Sequence, residues 1–62
     1  MAARDLFESF TASLPDRDRE MLRELIAVRS ADMLSARSED ARVRVAEEFV
    51  REAKGTLKAQ KK

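Results

Sequence analysis

The chain has no cysteine, histidine, tyrosine or tryptophan, and it contains one glycine and one proline in 62 residues. Without cysteine no disulfide can form, and without histidine as well a structural zinc site is nearly excluded. A chain this short buries only about 60% of the surface that its unfolded form exposes, so its fold needs another source of stability. We therefore expect self-association, as a homodimer, or a permanent protein partner. An unusually well-packed monomer is the alternative.

The same missing residues remove most of the usual catalytic groups. There is no glycine-rich phosphate loop and no nucleophile beside an evident base, and the carboxylates and lysines lie in patterns typical of solvated helix faces. The sequence therefore predicts a protein that is not an enzyme and that needs no cofactor or metal.

Long apolar runs are also missing. No stretch approaches the roughly 18 residues that are needed to span a bilayer, and acidic residues are mixed into every polar face, which disfavours binding to a membrane surface. The absence of cysteine is compatible with a reducing compartment, so the expected location is cytoplasmic. Charged residues make up 40% of the chain, but the net charge is only +1, and the overall field therefore favours no polyanion.

What the chain does contain is typical of helices. Alanine, arginine, glutamate and leucine are abundant and lose little entropy in a helix, and no strand candidate is visible. The predicted fold is all-α: a short N-terminal helix followed by an antiparallel helical hairpin, three helices in total, assembled as a dimeric helical bundle. The predicted single domain covers residues 1–57, and a basic disordered tail covers residues 58–62.

Three apolar arcs define the predicted helices. The first helix runs from about Ala3 to Ala12 and ends before Pro15, because the residue before a proline avoids helical geometry. The second extends to about Ala36, and the third runs from about Ser38 to Lys54 or Leu57. The apolar residues of the third helix have the clearest periodicity in the chain: Val43, Val45, Ala46, Phe49, Val50, Ala53 and Leu57.

The boundary between the second and third helices carries no glycine or proline, so one continuous helix from Pro15 to Gly55 is the alternative to a hairpin. A continuous helix would place Arg29, Asp32 and Glu39 in the middle of its heptad seam. A break near residues 35–38 avoids this, with Ser38 as the N-cap of the third helix. Gly55 is expected to provide a left-handed C-cap.

Charged residues inside the apolar arcs need partners. If the hairpin turns near Arg37, residues whose numbers sum to about 74 lie level, and we expect an ion pair between Asp32 and Arg42. Arg29 has no local acid besides Asp32. It either contacts an acidic group on a partner or second subunit, or extends its apolar stem along the edge of the core.

Two functional classes follow. The first is a small helical regulator or adaptor that dimerises and binds a protein partner, because the apolar arcs exceed what so short a chain can cover. Its predicted partner or dimer interface consists of Phe7, Phe10, Leu22, Leu25, Ile26, Arg29, Met33, Phe49, Val50 and Leu57.

The second class is a dimeric nucleic-acid-binding regulator. Its predicted phosphate contacts are the basic residues on the polar side of the third helix, Arg44, Arg51, Lys54 and Lys58. Asp40 and Glu47 interrupt this stripe, and each lies four residues before an arginine, which favours ordinary ion pairs on a solvated face.

Overall fold

The computed structural model describes residues 2–60, which form four helices. These are α1 (Ala3–Ser13), α2 (Asp16–Met21), α3 (Arg23–Ser35) and α4 (Glu39–Gln60). The expectation of an all-α fold is confirmed, and no strand occurs in this range.

The end of α1 is set by the proline. Leu14 has φ −79° and ψ 140°, an extended conformation, and α2 begins at Asp16. This is the predicted effect of Pro15 on the residue before it, and α1 ends one residue later than expected. The Arg19 Nη2 group donates a hydrogen bond to the Leu14 carbonyl oxygen at 3.1 Å, which links α2 to the turn.

The predicted second helix is two helices, so the prediction of three helices was wrong. Leu22 separates α2 from α3 with φ −96° and ψ 8°, a bridge-region conformation rather than a helical one. The Leu22 side chain is buried in the core, whereas α2 contributes no buried residue. The bend therefore directs Leu22 inward at a position where neither glycine nor proline signals a break.

The hairpin prediction is confirmed at its turn. Residues 36–38 are not helical, and the Ser38 Oγ accepts a hydrogen bond from the Ala41 N–H at 3.1 Å. Ser38 is thus the N-cap of α4, as predicted. Since only three residues separate α3 from α4 and the two helices pack together, the chain reverses direction here.

The predicted end of the last helix was wrong. α4 continues through Gly55 to Gln60, and Gly55 has no positive φ, so it is not a C-cap. Residues 58–60 of the predicted disordered tail are helical, whereas Lys61 and Lys62 lie outside the described residues. Once the preceding turns are formed, each further residue adds one hydrogen bond at little cost, which lets the helix extend past a single glycine.

Phe49 is the centre of the core. Its ring stacks on Phe7 with centroids 4.3 Å apart, and Phe10 contacts it edge-on at 5.5 Å. Ala46 and Ala53 are completely buried on the same side of α4, where their small side chains allow neighbouring helices to approach closely. Both α1 and α3 pack on α4, which is therefore the central helix.

Candidate interaction surfaces

Most of the predicted interface residues are used inside the chain. Four of them are buried in the core, namely Phe7, Leu22, Met33 and Phe49. Five more are partly buried against that core, namely Phe10, Leu25, Ile26, Val50 and Leu57. Intrachain packing therefore accounts for the apolar arcs that the sequence shows most clearly, and a partner surface has to be sought elsewhere.

Arg29, the remaining member of that set, joins two helices. Its Nη1 donates to Asp32 Oδ2 on α3 at 3.1 Å, and its Nη2 donates to Glu52 Oε1 on α4. The hydrogen bond that Arg29 donates to Glu52 raises the pKa of Arg29 above its ordinary value, against the opposing effect of desolvation. Arg29 thus has two acidic partners within its own chain, and the cross-helix partner was not predicted.

The predicted ion pair between Asp32 and Arg42 does not form. Asp32 pairs with Arg29, and Arg42 Nη1 instead pairs with Glu39 Oε2 at 3.0 Å. Each residue takes a partner three positions away on its own helix, and that partner stays within reach whatever the register of the hairpin. An ion pair at this spacing forms in place of the expected pair between Asp32 and Arg42, which depends on how the two helices are aligned.

Glu39 connects the beginnings of α1 and α4. Its Oε1 accepts a hydrogen bond from the Ala3 N–H at 3.1 Å, and its Oε2 accepts one from Arg42. The Ala3 N–H is among the donors at the start of a helix that have no partner within it, so Glu39 caps α1 from a distant part of the chain. The backbone hydrogen bond is the main cause that lowers the pKa of Glu39, and Arg42 adds to it.

This lowered pKa predicts a stability that depends on pH. Because the folded pKa of Glu39 lies below its unfolded value, its contribution is complete above about pH 4.3 and disappears as the pH falls through the folded pKa. Thermal unfolding between pH 7 and pH 3 should therefore show a smaller acid-induced loss for Glu39→Gln than for the wild type. Glu47→Gln, at an exposed position, is the matched control and should follow the wild type. Equal losses in all three proteins would contradict the assignment.

One side of α3 is largely apolar and faces solvent, with Glu24 and Ser35 as polar residues in the same arc. Leu34 is 81% exposed and Val28 is 56% exposed. Ala27 and Ala31 are exposed beside them, and on a helical projection the four residues cover about 120° on the side away from Met33, which is buried. We call these four residues, Ala27, Val28, Ala31 and Leu34, the outer face of α3.

Leu34 was missed by the sequence reasoning because it lies outside the single apolar arc that was assigned to this helix. A signal was present: Ala27, Ala31 and Leu34 have the spacing i, i+4, i+7 of a second apolar stripe. A helix that is apolar on two sides is typically covered on both.

The basic stripe of α4 is exposed as expected. Arg44, Arg51, Lys54 and Lys58 all face solvent. The two ion pairs expected within the stripe, from Asp40 to Arg44 and from Glu47 to Arg51, are not formed, and exposed pairs of this kind contribute little to stability. In residues 2–60 none of the four basic side chains has an acidic partner.

A cleft in the surface of the described residues is lined by Asp16, Arg19, Glu20, Arg23 and Ile26. Another cleft is lined by Ala2, Arg4, Met33, Leu34, Glu39 and Arg42, and it adjoins the outer face of α3 at Leu34. Over the described part of the chain, no three acidic side chains come together in a group that could hold a metal ion.

None of the helices formed by residues 2–60 has the length and apolar character that are needed to cross a membrane. The chain matches no protein-family model, and no curated protein or solved structure shows significant similarity to it. The surfaces described above are therefore the basis for a functional proposal.

Proposed function

We propose that the protein is a small, non-enzymatic helical interaction module, an adaptor or regulator that self-associates and binds a protein partner. The observation that carries the proposal is the exposure of Leu34 and Val28 on a helix whose opposite side is packed in the core. Fully burying such a side chain contributes about 1.5–3 kcal/mol, so covering the outer face of α3 is favourable.

The ten interface residues expected from the sequence favour this surface by elimination. Their side chains are occupied by contacts within the chain, and Arg29 is held by Asp32 and Glu52. The outer face of α3 is instead exposed, and three of its residues, Ala27, Ala31 and Leu34, have the spacing i, i+4, i+7, which is part of the i, i+3, i+4, i+7 pattern by which one helix docks on another protein. The contact surface that we propose therefore differs from the ten residues expected from the sequence.

Photo-crosslinking tests the proposal. A photoreactive amino acid in place of Leu34, introduced in cells that make the protein, should give a defined cross-linked protein product, which can be a second copy of the chain. The same amino acid in place of Ala59, exposed near the end of α4, is the matched control and should give no such product. Absence of a specific product at position 34, or identical products at both positions, would overturn the proposal.

Nucleic-acid binding is the second candidate, and the observation that favours it is the stripe of four exposed basic residues without acidic partners in the described chain. Asp40 and Glu47 lie along the same side of α4 and weaken its positive field. Fluorescence anisotropy with a duplex DNA and a single-stranded RNA at about 50 and 200 mM salt tests it, because phosphate contacts give an affinity that falls steeply with salt. No binding at the lower salt concentration would remove this candidate.

A further inference from the structure

We propose that the outer face of α3 binds the same face of a second copy, with the two α3 helices antiparallel about a twofold axis near Ala31. The inference rests on the proposed function and names its partner. Three features of the described residues support it: the shape of the face, the position of small residues, and the charges at its two ends.

The arrangement of large and small side chains suits a twofold axis. In a closed symmetric dimer, residue i of one copy contacts residue j of the other, and j contacts i in return. With Ala31 at the axis, residues whose numbers sum to about 62 lie opposite one another. Leu34 of each copy therefore faces Val28 of the other, and this contact occurs two times in the dimer. Ala31 itself is exposed and small, which lets the two backbones approach closely at the crossing point.

The charges at the ends select the antiparallel orientation. Glu24 lies at the beginning of the outer face and Arg37 follows its end; both are exposed, and within residues 2–60 neither forms an ion pair. In the antiparallel arrangement Glu24 lies close to Arg37 of the second copy, and the pair occurs twice. A parallel arrangement would bring like charges together, which is unfavourable.

A second copy therefore carries the complement of this surface already. A foreign helix would need an apolar stripe with a base opposite Glu24 and an acid opposite Arg37, whereas the chain itself meets that requirement by symmetry. Since α3 has 13 residues and only one of its faces takes part, the buried area is small, and we expect dissociation in about the micromolar range.

Sedimentation equilibrium of the full chain between about 1 and 300 µM tests the inference. The wild type should dimerise, and Ala31→Glu should weaken dimerisation at least tenfold, because it places two carboxylates at the axis. Ala59→Glu is the matched control and should dimerise like the wild type. Far-UV circular dichroism should show that each variant remains helical, and Leu34→Ala provides a second, uncharged variant that should also weaken the dimer.

A charge exchange tests the orientation. Glu24→Arg and Arg37→Glu should each weaken the dimer, and the double variant should restore it, since antiparallel packing re-forms both pairs with reversed sign. A dimer that tolerates Ala31→Glu, or a double variant no better than the single ones, would overturn the inference. A chain that stays monomeric at every concentration while position 34 cross-links a different protein would overturn the inference and the self-association in the proposed function, and would leave the binding of a protein partner standing.

Discussion

Replacement of Phe49 by alanine is expected to lower the free energy of unfolding by about 3–5 kcal/mol, the usual cost of truncating a buried phenylalanine. At about 0.05–0.15 kcal/mol per residue, a chain of 62 residues has only about 3–9 kcal/mol in total. The variant should therefore lose at least about a third of its stability, and it should be largely unfolded if the total lies at the lower end of this range. The reason is structural: Phe49 is completely buried and contacts the rings of both Phe7 and Phe10, which attach α1 to α4.

Urea unfolding followed by circular dichroism at 222 nm measures this loss. Phe10→Ala is the matched control, because Phe10 is only partly buried and makes a single edge-on ring contact with Phe49. It should cost clearly less than Phe49→Ala. Equal costs would mean that Phe49 is not the centre of the packing between α1 and α4.

Replacement of Leu22 by alanine is the second large effect, with an expected loss of about 2–5 kcal/mol. Leu22 is 1% exposed, although it lies in the non-helical link between α2 and α3. Its adjacent residue Met21 is 42% exposed and provides a matched control. Met21→Ala should change the free energy of unfolding by no more than about 0.5 kcal/mol.

The comparison of these two variants tests the bend itself. If α2 and α3 were one straight helix, the division of burial between residues 21 and 22 would differ from the one observed, in which Leu22 is buried and Met21 is not. A pair of thermal or urea unfolding curves in which Met21→Ala costs as much as Leu22→Ala would contradict the inward orientation of Leu22 at the bend.

Local features of the fold were predictable because each depends on one residue and its immediate backbone. Pro15 restricts the conformation of Leu14, and the structure has Leu14 extended. Ser38 carries a side-chain oxygen that satisfies a backbone donor, and it caps α4. The apolar periodicity around Phe49 was also a sound guide to the core, since that residue and its neighbours one turn away, Ala46 and Ala53, are completely buried.

The candidate sites were harder to predict than the helices. Apolar periodicity identifies residues that avoid water, but it does not distinguish a core from an interface, and the chain's own helices cover most of the predicted contact set. Leu34 was not selected because it lies off the main arc, yet it is the most exposed large apolar side chain described. Which of two apolar sides is left uncovered depends on where the other helices pack.

The amino-acid sequence by itself determined the all-α class, the break at Pro15 and the cap at Ser38, because short-range sterics and hydrogen bonds decide these. Only the tertiary structure decided the bend at Leu22, the contact of Glu39 with α1 and the pairing of Arg29 with Glu52. The bend places Leu22 in a core that other helices complete, and the two contacts join residues that are far apart in the sequence. All three depend on how whole helices pack, and many arrangements of the same helices satisfy the local rules equally well.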